Sequence, residues 1–237
     1  MSGWVDAVAD PGWDHAAFFA TVALDRTAAQ RPHLAYRGVN GAVRYVVGGT
    51  FQIPTMVGTS SMEHASRMLA VDSANVPHLV FLSTSSGDLV YVSLTGSNWP
   101  VETVSQAGEA PDYISVAIDG MNAAHIAYYD SASHTLKYAH RTAGTPGVWT
   151  RETIDNVGDV GRWASLAVDG RQTPHVAYHD ATTGELKYAR RPGRAWEKLL
   201  IDSAFTPLKF CSLAVDKDGN PHVSYFDVNR TLKYASY

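Results

Sequence analysis

"PHVAYHD", residues 174–180, decides the fold, because the chain repeats it. The phrase returns as "PHLAYRG" (32–38), "PHLVFLS" (77–83), "AHIAYYD" (124–130) and "PHVSYFD" (221–227). Its histidines, His33, His78, His125, His175 and His222, are spaced by 45, 47, 50 and 47 residues. Self-similarity at a fixed period of this size marks a repeat architecture, so no one histidine is read alone.

Three further runs recur around each copy. "SLAVD" (165–169) precedes the histidine phrase and matches "TVALD" (21–25), "MLAVD" (68–72), "SVAID" (115–119) and "SLAVD" (212–216). "LKYA" (136–139, 186–189, 232–235) follows it and matches "VRYV" (43–46) and "LVYV" (89–92). An aromatic-led run closes the unit: "WPVETV" from Trp99, "WTRETID" from Trp149, "WEKLLID" from Trp196 and "FQIPTMV" from Phe51. The runs are short and rich in β-branched and aromatic residues. Gly, Asn, Asp and Ser separate them, which is the signal of strands joined by hairpins. No stretch carries a helical period. Four antiparallel strands repeated radially make a β-propeller.

The last unit stops at "LKYASY" without an aromatic-led strand, and the N-terminal "WVDAVAD" (4–10) matches the missing one. The expected fold is therefore all-β: one five-bladed propeller over residues 1–237, with four antiparallel strands per blade. Residues 1–10 supply the closing strand. The blades span approximately 18–57, 65–105, 112–155, 162–202 and 209–237 plus 4–10. The repeat resembles one found in bacterial β-propeller proteins of largely unassigned function, over nearly the whole chain. That resemblance implies the fold. Sequence motifs of the five-bladed lectins and furanose-cleaving glycosidases are absent.

The bulk numbers narrow the function. A net charge of −4 without a basic stripe argues against nucleic acid. No apolar run reaches membrane-spanning length. No leader-like segment precedes Trp4, so a cytoplasmic protein is expected, or a secreted one if its leader has been lost. A monomer is expected. Cys211 is the only cysteine, which excludes an intrachain disulfide.

The repeated residues read as scaffold. The histidines recur whatever surrounds them, and a buried imidazole finds local partners. Asp25, Asp72, Asp119, Asp169 and Asp216 end the first strand, and Asp130, Asp180 and Asp227 the second, where aspartate caps turns. "DKDGN" (216–220) resembles a calcium loop but lacks the distal glutamate.

Function is sought where the repeats disagree. The lead-ins to the first strands read "GWDHAAFFA" (12–20), "SMEHASR" (61–67), "GEAPDYI" (108–114), "VGRWA" (160–164) and "PLKFC" (207–211). An aromatic shares one position in four of them: Phe19, Tyr113, Trp163 and Phe210. His15, Glu63, His64 and Asp112 gather on one side as candidate acid–base or metal-ligating groups. Arg162 and Lys209 face them as anion-binding groups, and His179 and Asp180 lie near the rim. The expectation is a single asymmetric site at the mouth of the central channel. It would take a small polar, anionic or carbohydrate-like molecule. An enzyme of hydrolase, lyase or cyclase type at that mouth is the alternative. His and carboxylate would suit zinc or manganese there, although no motif names a cofactor. A further alternative is a multivalent, lectin-like set of sites between blades.

Overall fold

Alternation of apolar residues with turn formers dictates short strands, and short strands are what the computed structural model contains. It describes residues 18–38, 40–48, 55–61, 65–142, 147–203, 210–227 and 229–237. There is no helix among them.

Each repeat folds into one antiparallel sheet. The first holds β1 (Phe18–Leu24), β2 (Pro32–Arg37), β3 (Ala42–Val47) and β4 (Thr55–Thr59) in chain order. The second begins with the split strand β5 (Ala65–Arg67) and β6 (Leu69–Val71), followed by β7 (Pro77–Leu82), β8 (Leu89–Ser93) and β9 (Val101–Thr103). Its β5 leaves the sheet and pairs in parallel with the next blade's first strand. The third holds β10 (Pro111–Ile118), β11 (Ala124–Asp130), β12 (Thr135–Arg141) and β13 (Trp149–Asp155). The fourth holds β14 (Val160–Val168), β15 (Pro174–Asp180), β16 (Glu185–Arg190) and β17 (Glu197–Asp202). The fifth shows β18 (Cys211–Val215), β19 (Pro221–Phe226) and β20 (Leu232–Ser236) among the described residues. Five radial sheets make the five-bladed propeller.

One boundary differs from the sequence reading. β9 keeps only three residues of "WPVETV", while β4 is described from Thr55 to Thr59 and the head of its run, from Phe51, lies outside the described residues. Pro100 cannot donate to a ladder, so pairing in this run starts after it. The expected closing strand, residues 1–10, lies outside the described residues.

The innermost strands surround a central channel. Val22–Leu24, Leu69–Val71, Ala117, Ile118, Ala167, Val168 and Leu213–Val215 line a cavity of about 420 Å³. Neighbouring inner strands are tied by serines: Ser115 Oγ accepts the Leu166 N–H at 3.1 Å, and Ser165 Oγ the Leu213 N–H at 3.0 Å. The core lies between blades, where Leu79, Val116, Ile126, Leu166, Val176 and Leu213 are buried.

The five-fold aspartates and histidines have one job. Each first-strand Asp turns its Oδ1 onto backbone N–H groups two and four residues ahead in blades 2 to 5. Asp72 holds Ala74 and Val76, Asp119 holds Met121 and Ala123, Asp169 holds Arg171 and Thr173, and Asp216 holds Asp218 and Asn220, all at 2.7–2.9 Å. The "DKDGN" loop is thus the same turn as its relatives. Each turn needs one left-handed residue, supplied by Asn75, Asn122, Gln172 and Gly219.

The other carboxylate oxygen meets the histidine. Nε2 lies 3.3 Å from Asp72 in His78, 3.3 Å from Asp119 in His125, 3.4 Å from Asp169 in His175 and 3.5 Å from Asp216 in His222. Nδ1 takes the hydroxyl of the third-strand tyrosine: His33 with Tyr45 at 2.6 Å, and His78 with Tyr91, His125 with Tyr138, His175 with Tyr188 and His222 with Tyr234 at 2.5 Å. Asp–His–Tyr therefore spans the first three strands of blades 2 to 5, and His175 is scaffold; in blade 1 His33 keeps Tyr45, but Asp25 Oδ2 takes Arg31 at 2.8 Å and stands 3.9 Å from His33 Nε2.

Candidate functional site

At the lead-in ends of the inner strands, three collar aromatics adopt left-handed backbone: Tyr113, Trp163 and Phe210 have φ of 49°, 58° and 89°. Such values are unusual for bulky residues and mark a deliberate bend. The strand registers slip there, between Asp112 and Ser115 and between Arg162 and Ser165. The bend turns the rings toward one another. Tyr113 and Trp163 centroids are 4.3 Å apart, and Trp163 and Phe210 centroids 4.9 Å. Trp163 is buried beneath this row, while Phe210 stays 60% exposed.

The polar residues expected beside the collar have local partners. Asp112 Oδ1 accepts the Tyr113 N–H at 2.8 Å. Arg162 Nη2 donates to Asp159 at 2.6 Å, and its guanidinium lies 5.6 Å from the Tyr129 ring centroid. His179 and Asp180 are buried inside β15 rather than standing at the rim. Burial pushes the His179 imidazole down to about 4. Asp180 accepts from the Thr182 and Thr183 N–H groups and from Lys187 Nζ at 2.5 Å. An inward-facing strand position outranks the loop proximity that suggested a rim. His15, Glu63, His64 and Lys209 lie outside the described residues, as does the side chain of Phe19. Between blades 2 and 3 on this end, Asp112, Glu109, Ser61 and Ser131 help line a cavity of about 350 Å³.

A second arrangement sits at the blade junctions, and it repeats. Where blade 2 meets blade 3, Arg141 grips Glu102 in a two-pronged pair, Nε to Oε2 and Nη2 to Oε1, both 2.8 Å. Trp149 Nε1 donates to the same carboxylate at 2.8 Å. The Trp149 ring stands edge-on to Tyr91 at 5.3 Å, and Arg141 lies 5.4 Å from the Tyr91 centroid. Where blade 3 meets blade 4, the same parts return. Arg191 Nη1 donates to Glu152, and Trp196 Nε1 donates to its other oxygen at 3.1 Å. Trp196 stands edge-on to Tyr138 at 5.1 Å, with Arg191 5.1 Å from the Tyr138 centroid. The carboxylates keep access to solvent: the side chains of Glu102 and Glu152 are 28% and 36% exposed. The Arg141 pair holds Glu102 below the usual carboxylate range, so it stays ionised.

Each junction thus offers an anionic acceptor, a guanidinium donor and two aromatic rings within one cluster. The sequence reading passed over both glutamates and both arginines. Their signal is an offset. Glu follows the fourth-strand Trp by three residues only in blades 2 and 3, and Arg follows the third-strand Tyr by three only in blades 3 and 4. The mismatch of one blade makes sense only across a junction. At the next junction the corresponding residues are Leu199 and Tyr237.

No family model matches the chain, and no curated protein does either. Solved structures do. A lectin from Burkholderia pseudomallei superposes with a TM-score of 0.69 at 17% identity, over 93% of this chain and 66% of that one. The lectin SapL1, solved with alpha-methyl fucoside, gives 0.65 at 13% identity, over 93% and 77%. A variant of Aleuria aurantia lectin, solved with alpha-methyl-L-fucoside, gives 0.57 at 11% identity, over 92% and 74%. The chain spans about two thirds of the Burkholderia protein's length. At these identities the likeness is one of fold.

Proposed function

We propose that this propeller is a carbohydrate-binding protein whose sugars seat at the blade junctions. The carrying observation is the repetition of one Glu–Arg–Trp–Tyr constellation at two successive junctions, with its carboxylate open to solvent. The chemistry suits a sugar. A pyranose presents hydroxyls that donate to a carboxylate and accept from a guanidinium, and C–H faces that pack on aromatic rings. The Arg–Glu pairing preorganises both groups, so little side-chain entropy is lost on binding. Two weak sites on one rigid ring would act together on a branched or surface glycan. The fold likeness to lectins supports this reading.

The test is calorimetric titration with methyl α-L-fucoside and a panel of other methyl glycosides. We expect two equivalents per chain for the preferred sugar. Arg141→Ala should remove one and Arg191→Ala the other. No binding of any glycoside, or binding unchanged in both variants, overturns the reading.

A second reading keeps the channel mouth as the site, because Phe210 presents an exposed ring at the end of the collar. It requires one equivalent, insensitive to both arginine variants and lost in Phe210→Ala.

A further inference from the structure

The Asp–His–Tyr staple is nearly identical in blades 2 to 5, so any addition to it stands out. Blade 3 has one. In the sheet register His140 of β12 lies opposite His125 of β11. The residues in that position elsewhere are Val47, Ser93, Arg190 and Ser236. Only blade 3 brings a second imidazole to the staple, with ring centroids 4.7 Å apart.

We propose that Asp119, His125 and His140 form a binding site for a borderline first-row divalent cation, of which zinc is the representative. One ligand atom from each residue lies within 4.8 Å of the other two. Asp119 is held in place because its Oδ1 accepts the Met121 and Ala123 N–H groups, each at 2.8 Å. Its Oδ2 is thereby aimed at His125 Nε2, 3.3 Å away. That separation matches the edge of a tetrahedron built on metal bonds of about 2.0–2.1 Å. His125 is fixed in turn by Tyr138, whose hydroxyl meets Nδ1 at 2.5 Å. A hydroxyl serves either ring tautomer, so Nδ1 can carry the proton when Nε2 binds a metal.

The donor set selects the ion. Two imidazoles and one carboxylate suit zinc, cobalt, nickel or copper, whereas calcium and magnesium take oxygen-only shells. Asp119 and His125 are buried and His140 is half-buried, so the cluster opens on one side only. Three protein ligands with an open fourth position leave room for water or an exogenous ligand. Arg191 is paired with Glu152. The staples of blades 2, 4 and 5 lack a third ligand at the position of His140, and they serve as internal controls.

The experiment titrates zinc chloride into chelator-treated protein by calorimetry, with cobalt(II) absorption as a second readout. The informative variant is His140→Ser, because serine already stands at this position in blades 2 and 5 and is compatible with the fold. Wild type should bind one zinc that the variant does not. The loss should exceed the roughly 10–100-fold that an outer-shell change costs. Cobalt(II) should give the intense visible bands of a low-coordinate site in wild type only. His125→Ala provides a second measurement if it folds. Zinc stoichiometry and affinity equal in wild type and His140→Ser, or no zinc bound by wild type, overturns the proposal.

Discussion

His175→Ala is the substitution that tests the staple most directly. The imidazole is 1% exposed and links Tyr188 on β16 to Asp169 at the end of β14. Truncation has two costs. The Tyr188 hydroxyl, also buried, loses its partner, and an orphaned buried group costs about 1–3 kcal/mol. The ring also leaves a cavity among packed strands, adding about 2 kcal/mol by analogy with other large-to-small changes. Asp169 adds little, because it keeps the Arg171 and Thr173 N–H groups at 2.8 and 2.7 Å. The expected loss is about 3–5 kcal/mol, a large part of a domain's usual 5–15 kcal/mol. Tyr188→Phe makes no cavity but strands His175 Nδ1, at about 1–2 kcal/mol. Once the imidazole is gone, removing the hydroxyl relieves an orphan instead of making one. The double variant should therefore be more stable than the sum of the singles implies, by about 2 kcal/mol. Urea unfolding at pH 7.5, followed by tryptophan fluorescence, measures all four corners of the cycle. A loss in His175→Ala below about 0.5 kcal/mol, the range of ordinary surface changes, refutes the staple. So does simple additivity.

Stability should fall as pH drops from 7.5 to 5. Burial lowers the pKa of His33, His78, His175 and His179 below the ordinary 6.5. The unfolded chain then takes up protons that the folded chain refuses, and stability is lost below pH 6.5 until the folded pKa is reached. His179 alone, at about 4 in the folded state, accounts for about 2 kcal/mol by pH 5. A urea midpoint that is flat over this range would contradict the assignment. The lowered carboxylates Asp169, Asp180 and Asp227 act only further down, below their unfolded 3.8. For ring closure, residues 4–10 are proposed to run along β20. An apolar groove of about 250 Å³ there is lined by Tyr188, Leu199, Ile201, Val223 and Ala235. Trp149 on Tyr91 and Trp196 on Tyr138 set the precedent for Trp4 on Tyr188. Deleting residues 1–10 should lower Tm by roughly 5–10 °C in a scanning melt. An unchanged Tm would place the segment elsewhere.

The repeat alone determined the architecture, because a propeller blade is specified locally. Period-2 strands, hairpin turns and a 47-residue period state the same sheet five times over. The scaffold role of His175 was legible for the same reason: a residue present in every copy serves what every copy shares. A strand end was less legible where Pro100 interrupts the pairing. The partners of individual side chains were not legible at all. His179 varies among blades and sits near a loop, yet it is buried in β15, because the strand's facing is set by packing on both sides. Glu102 with Arg141, and Glu152 with Arg191, are 39 residues apart in each case and belong to different blades. His140 is an unremarkable third-strand residue until sheet register sets it against His125. One-dimensional periodicity reports what each blade repeats. Only the packing of neighbouring blades and the register between strands bring unlike residues together, and both candidate sites are made there.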